Sequence, residues 1–151
     1  MIKILFICHG NICRSPMAEF VMKDMVQKAG IADNFFIASA ATSAEEIGNP
    51  VHRGTRTRLA GEGISTAGKY ARQMTRKDYV EYDYLIGMDH WNLRSMERIV
   101  GPDREGKLSL LLDYTDRAGA EIADPWYTGN FDETYDDIVE GCRGLLKRLG
   151  C

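Results

Sequence analysis

Residues 2–7, IKILFI, put five apolar side chains into six positions and then stop at Cys8-His9-Gly10. A run this short, with no polar face, predicts a strand buried on both sides, as in a parallel sheet. Such a strand needs cover on each face, and the chain supplies helical segments in alternation with further strands. Directly after it, Ser15 predicts a helix N-cap and Pro16 a first-turn residue, with Glu19 near the positive end of the dipole. Ala18, Val21, Met22 and Met25 recur at helical spacing, and Gly30 ends the helix. Further strands are predicted over 35–39 (FFIAS), 82–88 (YDYLIGM) and 107–112 (KLSLLL). Helices are predicted over 49–63, over 75–82 with Thr75 and Asp78 at capping-box spacing, and over 90–100 behind an Asp89 cap. A last helix spans about 131–149, where Ile138, Cys142, Leu145, Leu146 and Leu149 form one apolar stripe. This alternation predicts an α/β chain: a three-layer α/β/α, Rossmann-like domain over residues 1–151 with a four-stranded parallel sheet. In such folds ligands bind beyond the carboxyl ends of the strands. The stretch Cys8–Ser15 falls at one such end, as do Ser39, Asp89 and, one loop later, Asp124.

Charge and cysteine usage narrow the function classes. The formal net charge is −3, which argues against a nucleic-acid or membrane-surface binder. No apolar run approaches the roughly 20 residues of a membrane span, and the N-terminal run ends without a small-residue cleavage site. The expected location is therefore the cytoplasm. Four cysteines, at 8, 13, 142 and 151, do not make a disulfide scaffold.

The chemistry concentrates in CHGNICRS, residues 8–15. A structural metal site needs four ligands, and Cys8, Cys13 and His9 have no matching pair elsewhere, since His52 and His90 lie alone. No metal or cofactor is expected. A second reading is that Cys8 only packs at a strand end. The third reading is an anion cradle. A loop running from a strand to a helix N-terminus aims backbone N–H groups inward, and the dipole adds positive potential. Gly10 permits the bend and Asn11 tolerates a left-handed conformation. Arg14 offers a planar fork for two phosphoryl oxygens. The same field should depress the Cys8 pKa and make a thiolate, a nucleophile facing phosphorus.

Spacing alone does not establish this. With 12 arginines in 151 residues, about one cysteine in twelve has an arginine six positions on by chance. Cys142 and Arg148 are such a pair, inside a helical, core-facing segment. Only Cys8 lies between a buried strand and a Ser-Pro helix start.

With those parts in place, the chain resembles the low-molecular-weight protein tyrosine phosphatases, whose signature is C-x5-R-S near the N-terminus. Gly10, Asn11, Cys13, Arg14, Ser15 and Pro16 all fit the family form. ASAATS (38–43), EIGNP (46–50), Met88-Asp89 and DPWYTG (124–129) follow in the family's order, so the resemblance covers the chain. It implies a phosphotyrosine phosphatase I-like fold and hydrolysis of phosphotyrosine and small aryl phosphates through a phosphocysteine on Cys8. It further implies that Arg14 binds the phosphoryl group and that Asp124 serves as acid, then base. Breakdown of an aryl phosphate benefits from such an acid, and Pro125 restricts the backbone of Asp124. His9, Gly10, Asn11, Ile12, Cys13 and Ser15 would form the phosphate loop, with Trp126 and Tyr127 as an aromatic wall. Ser39 and Asn11 would hold the loop. Asp89 would join them, although it reads equally well as a helix cap. By resemblance, Cys13 can pair reversibly with Cys8 under oxidation. The implied partners are phosphotyrosine-containing proteins or peptides and phosphate-like oxyanions, not nucleic acid or membrane.

Three positions depart from the family pattern. His9 replaces an apolar residue, Glu45 stands where many members have a pocket aromatic, and Lys69 stands where many eukaryotic members have a loop-bracing histidine. That bracing network is therefore expected to fail at position 69. Related chemistries are disfavoured by single features. A thiol-relay arsenate reductase needs mid-chain cysteines, and none lies between Cys13 and Cys142. By resemblance, arginine phosphatases carry Thr at the position of Ile12. A phosphocarrier would need the loop but not Asp124.

Overall fold

The computed structural model describes all 151 residues. Four strands, β1 (Ile2–Cys8), β2 (Phe35–Ala41), β3 (Tyr84–Gly87) and β4 (Leu108–Leu110), form one sheet in the order β2-β1-β3-β4. All three pairings are parallel, with Cys8 opposite Ala41 and Ile7 opposite Gly87. The apolar run explains the central place of β1. Ile4 and Phe6 face one core with Met17, Met22, Ile138 and Leu145, while Leu5 and Ile7 face another with Met74, Leu85 and Met96. Each of Ile4, Leu5, Phe6 and Ile7 is fully buried. Helices α1 (Arg14–Lys28) and α6 (Phe131–Arg148) cover the first face; α3 (Arg76–Glu81) and α4 (His90–Val100) border the second. Helix α2 (Arg53–Ala60) and a single turn, α5 (Pro125–Thr128), lie in the connections. The architecture is the expected three-layer α/β/α sandwich, and Cys142 is a buried core residue.

Several boundaries differ from the sequence reading. Residues 49–52 are not helical: Pro50 bridges to Tyr70, and His52 caps α2 by accepting from the Gly54 amide through Nδ1 at 2.9 Å. The predicted strand 107–112 is paired only over 108–110, because Leu111–Tyr114 tighten into a 3-10 turn. That turn packs closely on α6 at Gly141 and Gly144. The Thr75–Asp78 capping box forms as its spacing predicts, and Asp89 caps α4 as expected, with Asn92 returning the bond to complete a box.

Candidate active site

The loop between β1 and α1 is shaped by bonds to its carbonyls. Thr42 N–H donates to Cys8 O, Ser43 N–H to His9 O, and His52 N–H to Ile12 O; the buried Thr55 hydroxyl donates to Cys13 O. The amides of His9 through Cys13 have no acceptor within the fold. A row of uncommitted amides at a helix start is an oxyanion cradle.

Asn11 holds the turn at φ 60°, the single non-glycine residue in the left-handed region. Its Oδ1 accepts from the Arg72 amide at 3.2 Å, which orients Nδ2 toward two serines. Nδ2 donates to Ser15 Oγ at 2.8 Å and to Ser39 Oγ at 2.9 Å. Ser15 therefore keeps its own hydroxyl hydrogen for Cys8 Sγ, 3.0 Å away, and the Ser15 amide points at the same sulfur from 3.4 Å. Two potential donors from one residue thus converge on the Cys8 sulfur.

Ser15 is thus not the helix N-cap predicted from sequence. Helix α1 begins at Arg14 with Cys13 in the cap position and no side-chain cap, because the Ser15 hydroxyl turns inward to Cys8 and Asn11.

The network continues away from the loop. Ser39 donates to Glu19 Oε1 at 2.5 Å, and Glu19, 4% exposed, is met by Lys23 at 2.6 Å and Lys69 at 3.5 Å. Lys69 also donates to Ser39 O at 2.8 Å. The expectation that bracing fails at position 69 is therefore corrected: Lys69 reaches the Ser39 carbonyl and the Glu19 carboxylate. Burial holds the Lys69 ammonium below its usual range, with Glu19 opposing that shift. Glu19 itself was missed as a site residue. The available signal was its place on the Ser15, Met22, Val26 stripe of α1, since a carboxylate on a buried stripe requires partners.

Arg14 is 3% exposed and held from its outer side. Its guanidinium donates to Asp89 Oδ2 at 2.8 Å, to Ile122 O at 2.9 Å, and to Asp124 Oδ2 at 3.5 Å. Burial opposes the charge, but Cys8, Asp89 and Asp124 together raise the Arg14 pKa above its usual value. Asp89 combines the two roles left open by its sequence: Oδ1 caps α4 on the Asn92 amide, and Oδ2 orients Arg14. Asp124 likewise starts α5 by accepting from the Trp126 amide through Oδ1, leaving Oδ2 toward Arg14.

One pocket joins these groups. Cys8, Cys13 and Arg14 line it with Asp124; Ile12, Trp126 and Tyr127 contribute its apolar wall; His9, Gly10, Glu45 and Glu46 complete it. Trp126 is 58% and Tyr127 84% exposed. Trp126 is braced edge-on by His52, which stacks on Phe131. Burial and the neighbouring Cys8 push the Cys13 thiol up to about 12. No three His, Cys, Asp or Glu side chains converge in a group that could hold a metal ion.

The family sequence profile of the low molecular weight phosphotyrosine protein phosphatases matches residues 3–151. The chain belongs to that family. It is similar to the low molecular weight protein-tyrosine-phosphatase YfkJ of Bacillus subtilis, with 43% identity covering 99% of this chain and 96% of that one. Their folds agree with a TM-score of 0.94 over 99% of this chain and 95% of the YfkJ chain. The human low molecular weight phosphotyrosine protein phosphatase is 37% identical over 96% of this chain and 94% of its own. Wzb of Vibrio vulnificus, solved in complex with benzylphosphonate, is 26% identical, with a TM-score of 0.84 covering 97% and 98% of the two chains. The protein is accordingly a phosphotyrosine hydrolase of the cysteine-dependent, low-molecular-weight class. No helix is long and apolar enough to cross a membrane.

Proposed function

We propose that one domain, residues 1–151, carries out this hydrolysis with Cys8 as nucleophile, Arg14 as phosphoryl clamp and Asp124 as acid and base. The Cys8 thiolate attacks phosphorus as the bond to the tyrosine oxygen breaks. Asp124 gives its proton to the departing phenolic oxygen, leaving a phosphocysteine. Asp124, now a carboxylate, takes a proton from water whose oxygen attacks phosphorus, and the sulfur–phosphorus bond breaks. Ser15 donates to the leaving sulfur. The Arg14 fork and the loop amides stabilise the equatorial oxygens in both steps.

One observation carries this reading. A sulfur that receives two Ser15 donors shares a pocket with an arginine oriented by Asp89 and a carboxylate 3.5 Å from that arginine. A phosphocarrier would have no use for that carboxylate. Asn11 and Ser39 hold the loop conformation, Gly10 and Cys13 complete the cradle, and Ile12, Trp126 and Tyr127 grip the substrate ring. Benzylphosphonate on the Vibrio vulnificus protein combines an aromatic ring with a tetrahedral oxyanion, which supports phosphotyrosine proteins or peptides, and phosphate-like oxyanions, as ligands here. A cytoplasmic location is supported by the reducing conditions that keep a thiol such as Cys8 free; cell fractionation tests it.

The enzymatic test is steady-state hydrolysis of phosphotyrosine, phosphoserine and phosphoarginine substrates beside Cys8→Ser. Phosphotyrosine should be fastest and Cys8→Ser silent. A preference for phosphoarginine would overturn the substrate, and activity in Cys8→Ser the nucleophile.

A further inference from the structure

Two of the positions that depart from the family pattern, His9 and Glu45, lie 36 residues apart in sequence and meet in space. His9 Nε2 is 3.0 Å from Glu45 Oε2, with both side chains largely exposed. The contact is built rather than incidental. Ser43 donates to His9 O from both its amide, at 3.1 Å, and its hydroxyl, at 2.9 Å, and its Oγ accepts from the Glu45 amide at 3.4 Å. These bonds stitch the 43–46 segment to the residue directly after the nucleophile. The next carboxylate, Glu46, lies over Gly10, where an added Cβ would meet its Cγ at 3.3 Å. Asn49 donates to Glu46 through its side-chain amide.

The pocket mouth is therefore asymmetric. Glu45 and Glu46 line it with His9 and Gly10; Trp126 and Tyr127 line it without formal charge. The only permanent cation lining the pocket is Arg14, which is buried at its floor. A phosphoryl group reaches that floor, while residues flanking the phosphotyrosine meet the lip. Glu45 Oε1 has no partner in the fold and is free for a substrate cation.

We propose that the Glu45–Glu46 lip, with Glu45 held by His9, makes this phosphatase select phosphotyrosines that have a lysine or arginine within about two residues. The proposal rests on the phosphotyrosine reading above and adds the identity of the neighbouring residues. Exposed charge pairs are individually weak, but replacing a basic neighbour by an acidic one exchanges attraction for repulsion at two carboxylates. The expected preference is about three- to tenfold in kcat/KM. It acts on encounter and binding, so it should shrink with added salt, since the screening length falls below about 8 Å above physiological ionic strength.

The test uses two phosphotyrosine peptides of one sequence, differing only in lysines or glutamates at the two positions on each side. The readout is the ratio of their kcat/KM values within each protein, which cancels any general change in activity. The unmodified enzyme should favour the lysine peptide at low salt and lose most of that preference at about 0.5 M salt. The ratio should approach one in Glu45→Gln/Glu46→Gln and fall further in Glu45→Lys. Equal turnover of both peptides by the unmodified enzyme, or an undiminished ratio in the double variant, overturns the lip proposal and leaves phosphotyrosine hydrolysis standing. Failure to hydrolyse either peptide, with aryl phosphate still turned over, overturns the phosphotyrosine reading and this proposal with it.

Discussion

Asn11→Ala is the sharpest test of how the phosphate loop is held. Asn11 is 1% exposed, sits at φ 60° and makes three side-chain hydrogen bonds. Truncation leaves the Arg72 amide without its acceptor, a cost of about 1–3 kcal/mol. Ser15 and Ser39 each lose an incoming donor but keep Cys8 and Glu19, so each loss is about 0.5–1.5 kcal/mol. Alanine in a left-handed conformation adds about 1 kcal/mol. The total, about 5 kcal/mol, should lower Tm by roughly 10–20 °C in a chain of this size. Asn11→Gly loses the same hydrogen bonds without the backbone strain. Set against the greater unfolded-state entropy of glycine, about 0.5–1 kcal/mol, this should leave it up to about 0.5 kcal/mol more stable than the alanine variant. Urea denaturation of both variants measures the sum and the difference, with kcat/KM on an aryl phosphate as the functional readout. A loss below 1 kcal/mol in Asn11→Ala, or a glycine variant less stable than the alanine one, would refute this account of the loop. So would full activity in both.

Asp124→Asn keeps an oxygen for the Trp126 amide, so α5 should stay in place while the transferable proton is lost. Turnover of phosphotyrosine peptides should fall about 10²- to 10⁴-fold, and formation of phosphoenzyme from an activated nitrophenyl ester, whose leaving group needs less protonation, should fall much less. Equal losses in the two rates, resolved by rapid mixing, would remove Asp124 as the acid. Gly144→Ala should lower Tm even though alanine is the better helix former by about 1 kcal/mol, because its Cβ would lie 2.2 Å from Tyr114 O. Overpacking of about 1–3 kcal/mol, less that gain, leaves a net loss of up to about 2 kcal/mol and a drop of a few degrees, and a rise in Tm would contradict the packing of α6. Burial raises the Cys142 thiol well above its usual range. Above about pH 9 the unfolded chain therefore releases a proton that the folded chain keeps, and stability falls as pH rises. This group contributes a slope approaching 1.4 kcal/mol per pH unit. Cys142→Val should flatten urea-derived stability against pH between about 9 and 11 by that amount, whatever it does to stability at neutral pH.

The sequence made the fold and the chemical centre legible where the determining residues are close in the chain. The buried run of β1, the loop and the start of α1 occupy adjacent positions, and the capping boxes at Thr75 and Asp89 are three-residue signals. What escaped depended on partners far along the chain. Ser15 looked like a cap because Ser-Pro before a helix usually is one, yet its hydroxyl is claimed by Cys8 and Asn11. Helix α2 starts at Arg53 rather than at 49, and its histidine cap leaves no Ser, Thr, Asp or Asn to mark that start. Helix α1 hides the most informative residue, Glu19, whose meaning lies in Ser39 and Lys69, 20 and 50 positions away. Lys69 shows how that concealment works. Read as a departure from a family histidine, it signals a lost brace. In the fold, its longer side chain carries an ammonium to Ser39 O and to the buried carboxylate. A position can therefore change its residue type and keep its load, provided the new side chain has the reach and the opposite charge it meets is already buried. The same reasoning applies at the pocket mouth. His9 and Glu45 both depart from the pattern, and because their side chains lie 3.0 Å apart, the charge of the lip is set by the pair rather than by either residue alone.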